Sequence, residues 1–184
     1  KEPVLAAIGA GIPIYEPKGH MIVDIGGGTT DAAVISLGGI VSSISVKVAG
    51  NKLDRAIADY IKRQFNLAVG DSTAEEIKIN IGSAIPLEEE LTMTIKGRDF
   101  LTGLPRSFDI RTNEIVKAVD GELREMIKAI KQVLHHTPPE LAADIIENGI
   151  TMTGGGSLLR NLNVLVTRST GVPTSIAKDA LFCV

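Results

Sequence analysis

An α/β fold, a mixed sheet flanked by helices with a small α+β subdomain inserted, is predicted by three observations. Apolar residues make up 44% of the 184, but aromatics only 3% and there is no tryptophan. The core must therefore be built from Ile, Val, Leu and Ala, as in sheets covered on both faces. Strand-length apolar runs come early in the chain, and helical periodicity takes over after them. Two glycine triplets, Gly26-Gly27-Gly28 and Gly154-Gly155-Gly156, each follow an apolar run.

Taken in order, PVLAAIGAGIPIY reads as the end of a helix broken at Gly9, Gly11 and Pro13. MIVDI, TTDAAVISL and GIVSSISVKVAG read as three consecutive antiparallel strands. Glycines at 26–28 and at 38–39 separate them, where hairpin turns are expected to need positive φ. Leu53, Ala56, Ile57, Tyr60 and Ile61 then recur at helical spacing after Asn51, taken as the N-cap. DSTAEEIKINIGSA starts a second helix, in which Ser72 with Glu75 or Glu76 resembles a capping box. LTMTIKG alternates and RDFLTGLPRSFDI follows as a hairpin, so residues 67–111 are expected to form the small subdomain, with 1–66 and 112–184 as the core lobe. TNEIVKAVDGELREMIKAIKQVLHH carries the stripe Ile115, Val119, Leu123, Met126, Ile130 and Val133, which is core packing. Pro138 and Pro139 end that helix and open a short one, PELAADIIEN. A strand GITMTGGG, a helix SLLRNLNVLVTRST and a strand near VPTSIAK complete the reading.

Nineteen basic and 22 acidic residues leave a formal charge of -3 without long runs of one sign, so neither nucleic acid nor an anionic membrane is the expected main partner. The single cysteine, Cys183, fits a reducing compartment and sits in a tail expected to fray. No apolar stretch reaches the ~20 residues of a membrane span, and a cytoplasmic location is the expectation. His135 and His136, at a helix end, suit its negative dipole terminus rather than a metal.

The chemistry concentrates at the triplets. A glycine triplet by itself is more often a turn than a ligand site. A hairpin needs one or two glycines, however, and three exceed that demand. Bare consecutive N–H groups form a nest for a phosphate, with the Thr29 and Thr30 hydroxyls beside it. Asp24 and Asp31 flank the turn and suit a hydrated magnesium ion, which takes few protein oxygens. The G-x-G-x-x-G fingerprint fails, because Asp31 stands where its last glycine would be, and no Gly-Lys-Ser or Gly-Lys-Thr of a P-loop is present. At the second triplet Ser157 is placed to cap the following helix, whose amino end suits an anion or a ribose edge.

VDIGGGTTD resembles the second phosphate loop of the actin, sugar-kinase and heat-shock-chaperone ATPase superfamily, and TGGGSLLRNL resembles its adenosine motif. EPVLAAIGAGIPIYEP, ISLGGIV, TAEEIK with IGSA, and PPELAADI are similar, in the same order, to stretches of the bacterial actin homologues that determine rod shape. The resemblance covers essentially the whole chain. It implies a ribonuclease H-like, actin-like ATPase domain that closes with a second such domain on Mg-ATP. By resemblance, Gly26, Gly27 and Gly28 hold the β- and γ-phosphates beside Thr29 and Thr30, and Asp24 orders the hydrated Mg2+. Glu75 and Lys78 match positions that bind ribose and adenine, while Gly154, Gly155, Gly156 and Ser157 line the adenosine pocket. Glu2 matches the acid that orients the attacking water, with Thr29 assisting, for slow ATP hydrolysis. Taken without the family, Glu2 is a solvated carboxylate, and Glu75 with Lys78 a surface ion pair.

The superfamily's first phosphate loop and its closing helix have no counterpart here, so the chain is expected to carry only the second-domain half of the site, with negligible turnover of its own. The resemblance further implies self-assembly into filaments under the membrane, with cell-wall synthesis and morphogenesis proteins as partners and membrane attachment through segments this chain lacks. Phe100, Leu101 and Leu104 are candidates for the filament contact or, equally, for packing onto their own sheet. A small-molecule kinase of the sugar or acetate type is the alternative function, and a chaperone ATPase the third.

Overall fold

The computed structural model describes residues 2–181 and 183, with the backbone alone for Glu2. Strand β1 (His20–Ile25), strand β2 (Thr30–Ser36) and strand β3 (Gly39–Val46) form the expected antiparallel run. Before them lies helix α1 (Glu2–Gly9). On its other side β1 pairs in parallel with a strand from far along the chain, Ile150–Thr153, which in turn pairs in parallel with Thr174–Ile176. Numbered in chain order as β7 and β8, these complete a mixed sheet of order β3-β2-β1-β7-β8.

Strand alternation divides the two faces. Ile22, Ala33 and Ile35 pack with Ala6, Ala7 and Ile14 under α1. Met21, Val23, Ile25, Ala32 and Val34 point the other way, into the main core. That core is closed by helices α2 (Gly50–Phe65) and α4 (Thr112–His135), and it also takes residues of α5 (Pro139–Asn148) and α6 (Leu162–Thr170). All six residues of the expected α4 stripe are buried. Its first turn is fastened by Glu114, whose Oε2 accepts the Arg111 N–H at 2.9 Å.

Residues 67–111 hold a second sheet, β4 (Leu67–Ala68), β5 (Thr92–Asp99) and β6 (Pro105–Arg111), with helix α3 (Asp71–Ile81). Leu67, Ala74, Ile77, Ile95 and Ile110 belong to the same apolar cluster as Val23 and Leu53, so both sheets share one core. At the β5–β6 turn Asp99 Oδ1 accepts the N–H groups of Leu101 (2.8 Å) and Thr102 (3.0 Å), and Oδ2 accepts from Arg106 (2.8 Å). These bonds, the Thr102 one foremost, hold the Asp99 carboxyl below its ordinary range. The turn so fixed carries Phe100, Leu101 and Leu104 at 45%, 82% and 64% exposure, which removes packing onto their own sheet as an account of the two leucines.

Local expectations fail where a tertiary contact supplies what the side chain was expected to supply. Helix α2 starts at Gly50 with Ala49 as its cap, so Asn51 lies within the first turn. Helix α3 is capped by Gly70, and Ser72 makes no capping bond. Cys183 is buried, with its Sγ 3.2 Å from the Asp179 carbonyl oxygen, not frayed. At the β2–β3 turn Leu37 (φ 51°) and Gly38 (φ 73°) are left-handed as that hairpin requires, but none of Gly26, Gly27 and Gly28 is.

His20 opens β1 with 8% exposure, and its Nε2 has no hydrogen-bond partner among the described residues. Burial holds the imidazole below its ordinary value against the opposing pull of Glu16 and Asp144, with Lys18 pushing the same way as burial. The unfolded chain therefore takes up this proton first, and stability falls as pH drops from about 6.5 toward the folded-state value. His20→Asn is expected to flatten the decline of the urea midpoint between about pH 7 and pH 5. An identical decline in the variant would show that His20 is not its source.

Candidate functional site

The parallel pairing of β1 with β7 sets Asp24 opposite Thr153. The two strands thus end side by side, and both glycine bends leave from one edge of the sheet. Crevices at the carboxyl ends of parallel strands are where open α/β sheets receive ligands. Here a cavity of about 390 Å³ is lined by Gly26, Gly27, Gly50, Asn51, Glu75, Lys78, Ile79, Gly155, Gly156, Leu158, Leu159 and Leu181. Small-molecule sites fall in the range of ~300–1,000 Å³, so the volume suits a ligand of nucleotide size.

The second triplet is glycine because the fold demands it. Gly154 is left-handed (φ 81°), and a Cβ on it would collide with the Ile25 carbonyl oxygen. A Cβ on Gly156 would strike the Ile25 side chain. The tight-turn explanation therefore suffices at these two positions. The first triplet differs. A Cβ on Gly26 would lie 3.8 Å from its nearest neighbour, one on Gly27 3.4 Å from Asn51 Oδ1, and one on Gly28 near nothing within 4 Å. Neither backbone angle nor packing among the described residues requires glycine there, and a cradle that side chains would fill is left open.

The backbone of that loop is also directed. Gly50 N–H donates to the Gly26 carbonyl (3.1 Å) and Asn51 N–H to the Gly27 carbonyl (2.9 Å), so two of the unpaired N–H groups at the start of α2 are satisfied by the loop. In a planar trans peptide the next N–H points opposite to the carbonyl. The Gly27 and Gly28 N–H groups are thereby turned away from α2, and no hydrogen bond engages them among the described residues. Two adjacent bare donors beside the positive end of a helix make a place for an anion.

The remainder of the cavity has another character. Ile79, Leu158 and Leu181 are 67%, 52% and 61% exposed, an apolar wall suited to a flat ring. Glu75 and Lys78 stand on it from α3, as their spacing on one helix face requires. They do not pair with each other as the surface-pair alternative supposed. Lys78 Nζ instead lies 2.8 Å from Asp54 Oδ1 on α2 and donates to the Gly50 carbonyl at 3.4 Å.

Of the residues singled out from sequence, the cavity brings together Gly26, Gly27, Glu75, Lys78, Gly155 and Gly156. Gly28 is exposed at the tip of the loop, and the Thr29 carbonyl accepts the Gly26 N–H at 3.0 Å. Two hydroxyls of the motifs are turned inward. Thr30 is wholly buried and donates its hydroxyl to the Val48 carbonyl (2.6 Å), because it shares strand parity with core-facing Ala32 and Val34. Ser157 is wholly buried and donates to the Gly154 carbonyl (2.6 Å). It lies in a 3-10 turn, Gly155–Leu158, and caps no helix, since α6 begins only at Leu162. Asp24 and Asp31 face each other across β1 and β2 on the α1 side of the sheet, and Asp24 Oδ1 accepts the Thr153 hydroxyl at 3.1 Å. No cluster of three or more metal-ligating side chains occurs among the described residues. The Glu2 side chain lies outside the described residues. Sequence reasoning missed Asn51, Ile79, Leu158 and Leu181 on the lining and Asp54 beside Lys78; no local pattern marks them, since α2, α3, the 3-10 turn and the segment after β8 are brought together only by the fold.

The model of the MreB/Mbl protein family matches residues 1–184. The cell shape-determining protein MreB of Escherichia coli strain K12 is 48% identical over 184 residues, 100% of this chain and 53% of that protein. The cell shape-determining protein Mbl of Bacillus subtilis strain 168 is 47% identical, over 100% and 55%. The chain spans about half the length of the curated relatives it matches. Among solved structures, MreB5 of Spiroplasma citri bound to AMPPNP superposes with a TM-score of 0.95 at 46% identity, covering 100% of this chain and 55% of that one. The MamK double helical filament follows at 0.80 and 26%, again over 100% and 55%.

The two triplets are expected to respond unequally to alanine. Gly154→Ala, left-handed and colliding with backbone, should cost about 1–3 kcal/mol of stability, whereas Gly27→Ala should stay within about 0.5 kcal/mol. Denaturant midpoints of the two variants decide it, and equal losses would contradict the distinction.

Proposed function

The chain belongs to the MreB/Mbl family, and from that premise we propose that it carries one wall of the ATP site of an actin-like filament protein that shapes rod cells by organising wall synthesis. The observation that carries this is the meeting of both glycine bends in one cavity, with the first triplet free of any steric need to be glycine. The β- and γ-phosphates lie along the Gly27 and Gly28 N–H groups with Thr29 beside them. Adenine and ribose lie against Ile79, Leu158 and Leu181, between Glu75 with Lys78 and the Gly155-Gly156 edge. Residues 67–111 act as the smaller subdomain, and 1–66 with 112–184 as the core lobe.

A hydrated Mg2+ suits the facing pair Asp24 and Asp31, because magnesium keeps most of its waters and takes one or two carboxylates. When bound, it neutralises charge on the phosphate oxygens. The family resemblance assigns to Glu2 the orienting of the attacking water, with help from Thr29. Self-assembly into filaments supplies the main partner, with morphogenesis proteins and membrane reached through the whole protein. No helix among the described residues is long and apolar enough to cross a membrane.

Isothermal titration of the full-length protein with Mg-AMPPNP tests the site. Binding is expected, weakened about tenfold, ~1.4 kcal/mol, by Gly27→Ala, whose side chain enters the phosphate cradle. The 184-residue chain alone should bind weakly and turn over negligibly. Unchanged affinity in the variant, or steady phosphate release by the isolated chain, would refute this assignment.

The β5–β6 turn is the proposed filament contact. A turn stitched by Asp99 that presents Phe100, Leu101 and Leu104 to water is more apolar than an isolated surface turn requires. Leu101→Glu in the full-length protein should raise the concentration needed for assembly, seen by sedimentation, while nucleotide affinity holds. Assembly at the wild-type concentration would remove this turn from the contact.

A further inference from the structure

The cavity has two ends of different chemistry, and one side chain outside it keeps them different. Lys78 is the cation on its wall, with its side chain 15% exposed. An ammonium has three donors. The nitrogen lies 2.8 Å from Asp54 Oδ1 and donates to the Gly50 carbonyl at 3.4 Å, both on α2. The contact with Asp54 Oδ1 is an ion pair by distance without the alignment of a hydrogen bond. Asp54 is itself only 14% exposed, so the pair sits where solvent screens it poorly. Its consequence is twofold: α2 holds Lys78 in place, and the charge that Lys78 would present to the cavity is cancelled nearby.

We propose that Asp54 is a positioning residue that fixes the direction in which a nucleotide enters the cavity. Resting on the nucleotide site proposed above, it acts through Lys78. With Asp54 present, Lys78 offers the cavity a neutralised hydrogen-bond donor, fit for a ring nitrogen or a ribose oxygen. The bare N–H groups of Gly27 and Gly28 are then the better anion site. Without Asp54, the ammonium loses its paired carboxylate, only Glu75 is left on the same wall to offset it, and phosphate gains a competing attraction at the end where the nucleoside belongs. Neither Asp54 nor any atom of it need touch the ligand.

The test uses the full-length protein, with adenosine and inorganic pyrophosphate as separate probes of the two ends. Asp54→Asn is expected to weaken adenosine binding about tenfold and to strengthen pyrophosphate binding a few-fold, shifts of opposite sign that a loss of folding cannot produce. Asp54→Glu should restore both. Because Asp54 works through Lys78, adding Asp54→Asn to Lys78→Ala should change neither affinity further. Lys78→Ala alone should weaken adenosine and leave pyrophosphate as in the wild type, which serves should Asp54→Asn fail to fold. Parallel losses for both probes, an effect of Asp54→Asn that persists without Lys78, or pyrophosphate binding that collapses in Lys78→Ala would each overturn the role. A wild-type protein that binds neither adenosine nor ADP overturns the nucleotide site and this inference together; one that binds both while Asp54→Asn behaves as wild type overturns only the inference.

Discussion

The site depends on the parallel pairing of β1 with β7. Their register, Asp24 opposite Thr153, makes two segments more than a hundred residues apart in sequence end at the same level, one strand spacing from each other. Without a side chain, Gly154 can turn left-handed directly beneath the Ile25 carbonyl, and Gly156 can lie against the Ile25 side chain. Any larger residue at either position would push the second bend away from the first. Gly154 and Gly156 therefore serve the approach of protein to protein.

A second constraint acts on the loop itself. Helix α2 leaves its first N–H groups to the carbonyls of Gly26 and Gly27 rather than to a capping side chain. Planarity of the two peptide units then orients the following N–H groups. One contact thus satisfies a helix terminus and aims the donors of the loop, at no cost in unpaired buried backbone. No acid is found in the first turn of α2, so its amino-terminal dipole is met by those carbonyls and not by a carboxylate.

Much of the fold was legible in the sequence because it is local. The three antiparallel strands follow one another, and their alternation, the α4 stripe and the β5–β6 hairpin are visible within short windows. The helix caps were less legible: Asn51 and Ser72 look like caps by residue type, while the partners that end α2 and α3 are backbone groups brought from elsewhere. Thr30 and Ser157 carry a different lesson. Both lie inside motifs that promise ligand hydroxyls, yet strand parity places Thr30 with Ala32 and Val34, and the 3-10 turn closes Ser157 on the Gly154 carbonyl. Parity was countable from the sequence and sets where the Thr30 hydroxyl points. Asp54 had no such signal, since its meaning depends on α2 and α3 crossing.

The distribution of charge separates holding a ligand from transforming it. At the first glycine triplet the cavity offers backbone, and the only cation on the lining among the described residues, Lys78, is already paired. Hydrogen bonds from backbone to phosphate in an open cavity largely replace those of water, each worth only ~0.5–1.5 kcal/mol net, and stabilise a transition state strongly only when water is excluded. An open wall of this kind selects a shape and an orientation. Helix α3 then links this wall to the exterior, because it carries Glu75 and Lys78 on one side and packs against β5, which ends at the apolar turn, on the other.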